Sequence, residues 1–484
     1  MRPASGAQTA CPNPVLCVAW LDIDAQIAWP NSGNCAHVSH AQTLERLRSR
    51  PPIRASSRRY PTEPSTGPTR EPVKASRSRT APVNVQAAND LHPYEAETRQ
   101  IALTIPSSAG MVIDRQAGKA IAYVTDLRDA SSARSAVRSA TAIQIASAQG
   151  VGMSEEVEVR SARFTFLDLA EWRDSLLLWR DAVAAGVRSL DVAENENLIV
   201  VGVESTQLMS ATQAVRQRVA RVGGNPEAVR VMVADNIRRA GPTRGAATRR
   251  APGDSLTSLV RPLRGGIKES VSGCTMGFIV KFDNVFYMTM AAHCSLPAAV
   301  VTGWEFKQGG QKVGYEAIDR EPYVFYTPEW HYARWSEATL FRLYDSVAFD
   351  FGRVARPNSF GSLAIDQYNP YFQLTSEEQG GISNGWYVAH IGVTSGWRMG
   401  YVDWSCFDKW VPEDNYWLHC QFRAVFLTQG GDSGGPVIAP YNNGWMTVGT
   451  IYGGNEQSNG YFSGWRGLDR DLTGTFGSGR LFSR

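Results

Sequence analysis

Between residues 91 and 240, apolar positions follow the two periods typical of strands and helices. Gly110–Asp114 and Lys119–Val124 have the composition of strands, and the four residues between them predict a hairpin. Phe166–Val183 and Ala211–Val222 repeat their apolar residues at helical spacing. With further strand-like runs between 187 and 233, the pattern predicts a separate α+β unit over residues 91–240.

From about Gly265 to the C-terminus the pattern changes. Short runs of branched and aromatic residues are separated by glycine and polar turn residues, and sustained helical spacing is rare. Such runs are typical of antiparallel β-structure. We therefore predict an all-β segment over residues 265–484.

Two stretches lack a core pattern. Residues 1–90 include a segment from about Arg46 to Pro82 that is rich in Arg, Pro, Ser and Thr, which favours disorder or a mis-set gene start. Residues 241–264 place five arginines among Pro and Gly. This composition is typical of an exposed linker that proteases cut easily.

Composition narrows the classes of function. The 484 residues suffice for more than one domain, and the net charge is +3. The basic run within Arg46–Pro82 could contact nucleic acid or anionic lipid, but a solvated linker is the favoured interpretation, so we expect no nucleic-acid partner. The apolar run Val15–Leu21 is too short for a membrane span and makes a poor signal peptide. No Cys-x-x-Cys or His-Glu-x-x-His pattern occurs, so we expect no metal and no cofactor.

The densest glycine cluster surrounds one serine. In Gln429–Val437, Ser433 follows Gly430-Gly431-Asp432 and precedes two further glycines. Glycine permits backbone angles and close approaches that a Cβ forbids. The amides of Gly431 and Ser433 could then face one point beside the hydroxyl, giving a nucleophile and an oxyanion hole in one loop. A glycine-rich surface turn is the alternative.

A histidine motif upstream supports the catalytic interpretation. His293 follows the apolar run Val285–Met290. A serine hydroxyl needs a base to take its proton, and the pKa of histidine suits that role near neutral pH. The Gly-x-Ser-x-Gly elbow of α/β-hydrolases needs a histidine after the serine. The last histidine here is His419, so that class is excluded.

The third member of a triad would be an acid between them. Asp350 lies between Phe349 and Phe351, which suits a carboxylate partly buried behind an imidazole. There it would fix the histidine tautomer and stabilise the imidazolium. Asp345 is the competing candidate, with a turn position as its alternative role. We predict Asp350 as the acid.

These motifs resemble those of chymotrypsin-fold serine proteases, in particular the bacterial streptogrisin and α-lytic branch. The resemblance covers residues from about 265 onward. It rests on the serine loop, on Cys274–Cys294, on Asp350-Phe351-Gly352, on Gly392–Gly400 and on Tyr452-Gly453-Gly454. It implies two six-stranded antiparallel barrels, over about 265–358 and 360–484, with His293 and Asp350 on the first and Ser433 on the second.

The resemblance also implies how substrate binds. Tyr452, Gly453 and Gly454 would pair with an extended peptide as an added strand. Leu427 stands before the nucleophile where trypsin-like enzymes carry an acid, so we expect an apolar or aromatic side chain of the substrate beside it. The family usually has serine where Tyr452 stands, so the hydrogen bond from that serine to the acid is open here.

Disulfides follow from the same comparison. The resemblance implies a bridge between Cys274 and Cys294 behind the histidine, and Cys406 with Cys420 makes a second local bridge. Disulfides persist in oxidising compartments. We therefore expect a secreted protein.

The α+β unit is weakly similar to the pro-regions of α-lytic-type proteases, which assist folding and then inhibit the enzyme. All-β domains close many long-range contacts and fold slowly, so a folding partner is physically reasonable. The alternative is an unrelated accessory domain. We expect cleavage in Leu263-Arg264-Gly265-Gly266-Ile267.

The sequence therefore predicts a secreted, monomeric serine endopeptidase that acts on proteins or peptides and is made as a precursor. Its own pro-region would be an intramolecular foldase and inhibitor. Two alternatives remain: an esterase of the same fold, and a catalytically silent binding module that kept the motif.

Overall fold

The computed structural model describes residues 92–149, 154, 156–239, 254–295, 298–326, 330–378, 381–455, 458–474 and 481–484. The segment expected to be disordered, 1–90, lies outside the described residues together with Cys11, Cys17 and Cys35. Residues 240–253 of the expected linker lie outside them as well. The fold is therefore described from His92 onward.

Residues 92–239, named here the α+β segment, alternate helices and strands. The hairpin of β1 (Ser108–Asp114) and β2 (Lys119–Val124) and the helix α4 (Phe166–Leu177) lie where the sequence periods predict them. The Thr165 hydroxyl caps α4 by accepting from the Asp168 N–H. Strand β3 (Val157–Ser161) adds to the hairpin in parallel to β2. The helices are α1 (Ala96–Thr104), α2 (Ala130–Ser139), α3 (Thr141–Ala148), α4 (Phe166–Leu177) and α5 (Leu208–Arg221), and the strands are β1 (Ser108–Asp114), β2 (Lys119–Val124), β3 (Val157–Ser161), β4 (Val187–Ala193), β5 (Leu198–Val203), β6 (Val229–Val233) and β7 (Arg238–Arg239).

In residues 254–484, named here the β segment, nearly all of the described regular elements are strands. The predicted all-β fold class of this part of the chain is confirmed. The strands are β8 (Leu263–Gly265), β9 (Ile279–Phe282), β10 (Val285–Ala291), β11 (Glu305–Gln308), β12 (Gln311–Ile318), β13 (Tyr323–Tyr326), β14 (Trp330–Arg334), β15 (Ala338–Leu343), β16 (Phe349–Ala355), β17 (Tyr371–Glu377), β18 (Tyr387–Gly392), β19 (Gly396–Val411), β20 (Tyr416–Val425), β21 (Pro436–Tyr441), β22 (Gly444–Gly454) and β23 (Asn459–Gly464), and the helix is α6 (Trp465–Thr473).

The first half of the β segment contains a five-stranded antiparallel sheet in the order β11-β12-β15-β10-β9. Its core is apolar and fully buried, with Phe278, Met288 and Leu340 at its centre. Strand β16 packs on this sheet through Phe349, whose ring lies 4.8 Å from that of Phe286. In the sheet hydrogen bonding, β16 pairs with β8 and with β17.

The second half closes into a barrel of six antiparallel strands in the order β18-β19-β20-β23-β22-β21, with β21 returning to β18. Closure leaves no free edge within the ring. Trp386, Phe422 and Phe462 are fully buried in a core cluster that includes residues of this barrel and of the α+β segment. The loop between β20 and β21 carries Ser433.

The α+β segment is joined to this barrel by backbone pairing and by a shared core. Strand β4 pairs antiparallel with β19, and β5 and β6 continue the same sheet. The ring of Tyr94 lies 4.7 Å from that of Phe422, and Trp386 Nε1 donates to the Ala142 carbonyl over 3.1 Å. The contact therefore has the character of a protein interior.

Charged groups are also buried at this join. Asp408 on β19 is fully buried and accepts from His92 Nε2 at 3.0 Å and from His419 Nδ1 at 3.0 Å. The guanidinium of Arg173 contacts the carboxylate of Glu95 beside them. Such groups stabilise an interior only while each keeps its partners.

The segment expected to be cut, Leu263–Ile267, is folded and largely buried, which corrects the expectation of an exposed cleavage site there. Leu263 is fully buried in β8, Gly266 N–H donates to the Met276 carbonyl at 2.8 Å, and Met276 N–H donates to Ile267 at 2.9 Å. Cleavage needs an accessible, extended chain. Among the described residues, no helix is long and apolar enough to cross a membrane.

Candidate active site

Strand pairing brings His293 to Glu337. Ala291 at the end of β10 lies opposite Ala338 at the start of β15. The residues just beyond these positions therefore meet. They are His293, which lies in a single helical turn, and Glu337. The disulfide between Cys274 and Cys294 ties this turn to the chain before β9.

His293 bridges an acid and a hydroxyl. Its Nε2 lies 2.8 Å from Ser433 Oγ, and its Nδ1 lies 2.8 and 2.9 Å from the two oxygens of Glu337. All three side chains are buried. A proton on Nδ1, donated to Glu337, leaves Nε2 free to accept the serine proton.

The main chain of Glu337 is hydrogen-bonded as well as its carboxylate. Its N–H donates to Ser463 Oγ at 3.0 Å, and its carbonyl accepts from Ala292 N–H at 3.2 Å. Burial raises the pKa of Glu337, but the charge and hydrogen bond of His293 and the charge of Arg239 outweigh burial and hold it below its usual range. Glu337 is thus kept as a carboxylate.

Asp350 does not contact His293, which corrects the prediction of the acid. Its carboxylate lies 2.8 Å from a guanidinium nitrogen of Arg264 and 3.5 Å from Arg353. Pairing of β16 with β8 creates this arrangement. Asp345, the competing candidate, is exposed. Neither aspartate takes the position that Glu337 occupies.

Hydroxyl groups hold the loop before the nucleophile. Gly431 has φ of 101°, a backbone angle that favours glycine. Thr275 Oγ1 donates to the Gly431 carbonyl at 2.8 Å, and Thr394 Oγ1 donates to the Gly430 carbonyl at 2.7 Å. Since the peptide is trans, the Gly431 N–H points away from Thr394. Within the described residues, the N–H groups of Gly431 and Ser433 have no hydrogen-bond acceptor.

Asp432 fixes the loop from inside. Its Oδ1 accepts from the N–H groups of Thr394 at 2.9 Å and Ser395 at 3.1 Å, and its Oδ2 accepts from Gln429 N–H at 2.8 Å. The side chain is fully buried. Main-chain donors therefore satisfy both oxygens of this acid.

The predicted substrate strand is already paired. Gly453 lies opposite Arg239 of β7, and Gly454 lies opposite Arg238. A Cβ on Gly453 would lie 2.8 Å from the Arg238 carbonyl oxygen, so glycine permits this approach. The tail of the α+β segment therefore occupies the edge expected to receive a peptide.

Tyr452 contributes its main chain to the site. Its carbonyl oxygen lies 3.3 Å from Ser433 Oγ, while its ring packs in a buried cluster with Phe407 and Tyr461. Its hydroxyl has no hydrogen-bond partner among the described residues. It therefore does not replace the serine hydroxyl of the resembled family.

The residues on either side of Leu427 are closely packed. Leu427 is half-buried, and its carbonyl accepts from His390 Nε2 at 2.9 Å. A Cβ on Gly454 would overlap Thr428 Oγ1, and a Cβ on Gly460 would overlap the ring of Phe426. Thr428 and Phe426 thus pack closely against β22 and β23, and the apolar or aromatic substrate side chain stays a prediction.

The second disulfide lies on the hairpin of the closed barrel. It joins Cys406 on β19 to Cys420 on β20. Across the described chain, no three His, Cys, Asp or Glu side chains cluster in a way that could hold a metal ion.

No protein-family model matches the chain, and no curated protein matches it. Similar solved structures include a Nocardiopsis protease, at 18% identity and TM-score 0.33 over 45% of this chain and 97% of that one. Thermobifida fusca protease A gives 18% identity and TM-score 0.33 over 46% and 98%. A glutamic acid specific serine protease with a histidine triad in substrate binding gives 18% and 0.31 over 42% and 93%.

Proposed function

We propose that this protein is a serine endopeptidase made as a precursor. The observation that carries the proposal is the position of His293, which lies within hydrogen-bonding distance of both Glu337 and Ser433. The three residues come from distant parts of the chain. A catalytically silent module would have no need to keep all three in contact.

The geometry supports acyl transfer. His293 takes the proton of Ser433 as its oxygen attacks the substrate carbonyl, and Glu337 stabilises the imidazolium. The N–H groups of Gly431 and Ser433 stabilise the oxyanion, where the loss of one donor typically costs about 2.7–4 kcal/mol. His293 then protonates the leaving amine, and water releases the acyl group by the same steps.

Peptide binding favours an endopeptidase over an esterase. β7 pairs antiparallel with Gly453 and Gly454, as an extended polypeptide substrate would. An ester substrate makes no use of such an edge. We therefore assign the α+β segment the role of an inhibitory pro-region, with its tail in the substrate cleft.

The remaining attributes follow from the same proposal. Disulfides at Cys274–Cys294 and Cys406–Cys420 fit an oxidising compartment, so we propose secretion. Substrates would be proteins or peptides, with the enzyme acting as a monomer. The chemistry uses side chains and main-chain amides alone.

The first test is covalent labelling. The full chain, after release of its tail, is expected to take one fluorophosphonate group on Ser433, identified by peptide mass spectrometry. Ser433→Ala should take none, while Ser359→Ala, at an exposed serine, should label like the wild type. Folded and processed protein that stays unlabelled would overturn the proposal.

Self-cleavage gives the second test. Because β7 leads the chain into the cleft, the wild-type chain is expected to be cut between Arg239 and Asp254, and the full chain with Ser433→Ala should stay intact. Mass spectrometry of the fragments locates the cut. A cut at Arg264, or equal cleavage of the Ser433→Ala chain, would contradict the proposed precursor.

A further inference from the structure

The register of β7 identifies which substrate position each tail residue imitates. Arg238 lies opposite Gly454 and Arg239 opposite Gly453. Continued by one residue, this register reaches Tyr452, whose carbonyl lies 3.3 Å from the nucleophile oxygen. In a peptide bound this way, Arg239 stands at the residue immediately before the one whose carbonyl is attacked.

Two carboxylates meet the Arg239 side chain. Its guanidinium contacts Asp414 and lies 3.5 Å from Glu337 Oε1. Burial lowers the pKa of Arg239, but Glu337 and Asp414 outweigh burial and keep the group fully charged. Arg238, one residue earlier, is exposed. Both acids thus meet a single side chain, that of Arg239.

The fold builds this subsite from the β segment alone. Asp414 lies in the turn that joins β19 to β20, and Glu337 precedes β15. Tyr416, the first residue of β20, is buried, and its hydroxyl has no hydrogen-bond partner among the described residues. The subsite would remain after the tail has left.

We propose that this subsite selects arginine in substrates at the position of Arg239, with Asp414 as the specificity-determining residue. The inference rests on the proposed function, since it needs an active protease. Glu337 is already engaged by His293, so Asp414 has the carboxylate free to discriminate. A planar guanidinium reaches both acids at once, whereas an ammonium is a single point charge.

The test compares two peptides that differ in one group. Both carry alanine at the residue whose carbonyl is attacked, and either arginine or citrulline at the residue before it. Citrulline keeps the shape and removes the charge. We expect kcat/KM about ten- to one-hundred-fold higher for arginine, the range of a charge-assisted hydrogen bond. Equal rates would overturn the inference.

A substitution assigns the effect. In Asp414→Asn the ratio of arginine to citrulline should fall close to one, while Glu413→Gln, at the exposed neighbouring acid, should keep it. An Asp414→Asn enzyme that retains the full ratio would overturn the role of Asp414. If that variant does not fold, the wild-type ratio decides, and it should decline with added salt.

Fluorophosphonate labelling distinguishes a failure of this inference from a failure of the proposed function. Active sites are counted with the fluorophosphonate before each assay. A preparation that labels but ignores the arginine charge contradicts only the subsite. A preparation that never labels overturns the protease proposal and the inference with it.

Discussion

Replacing Glu337 by glutamine is expected to lower kcat/KM about ten-thousand-fold, the typical cost of losing the acid of such a triad. The amide would turn a donor toward His293 Nδ1 and favour the wrong tautomer. Asp350→Asn should leave turnover nearly unchanged and lower stability instead, because its partner is Arg264. Peptide hydrolysis and chemical unfolding measure the two effects.

The pair of variants distinguishes the two candidate acids. If Asp350→Asn lost turnover while Glu337→Gln kept it, the assignment of Glu337 would be wrong. The Glu337→Gln protein should still fold, since its N–H to Ser463 and its carbonyl to Ala292 are main-chain contacts. Circular dichroism and its melting curve check that point.

Asp408→Asn is expected to destabilise the full chain by about 3–5 kcal/mol, since it removes the charge from a buried pair. The measurement is urea unfolding of the full chain carrying Ser433→Ala, which prevents self-cleavage. Asp126→Asn, in an exposed ion pair with Arg128, is the matched control and should change little. Equal stability of the two variants would contradict an anchoring role for Asp408.

The same residue gives a pH dependence. Burial raises the pKa of Asp408, but the charge of His92 and the hydrogen bonds from His419 and His92 outweigh burial and hold it well below the usual range. A depressed pKa stabilises the folded state above the ordinary value of about 3.9, and that stabilisation is lost as the pH falls below it. Wild-type stability should therefore drop on acidification below about pH 4, and Asp408→Asn should show a flatter profile.

The local sequence predicted His293 and Ser433, which lie in dense motifs, but it did not predict Glu337, which lies in none. His293 and Ser433 carry recognisable surroundings, and the structure brings them within 2.8 Å. Glu337 lies before an ordinary apolar strand, and only the long-range pairing of Ala291 with Ala338 brings it to the histidine. The apolar run from Ala338 was the available signal, since it marks a strand that could return to β10. Asp350 has the aromatic flanks of a buried acid but faces Arg264.

The same limit applies to the fold. Periodicity predicted the β1–β2 hairpin and the α4 helix because both depend on neighbours in sequence. Arginine and proline content suggested a linker up to Arg264, although Leu256, Val260 and Leu263 are core residues. The pairing of β4 with β19 joins strands more than two hundred residues apart. No local pattern specifies which sheet edges meet.

The main-chain donors around Asp432 bear on how the proposed precursor stays latent. In the full chain the Asp432 carboxylate already holds the loop of Gly431 through main-chain N–H groups. This arrangement does not require an N-terminal amine released by cleavage of the chain. Under the proposed function, the catalytic residues would already be arranged in the precursor, and the pairing of β7 in the cleft would keep it inactive. Activity should appear without a lag once β7 leaves the cleft. The rate at which β7 is released would then determine when the enzyme becomes active.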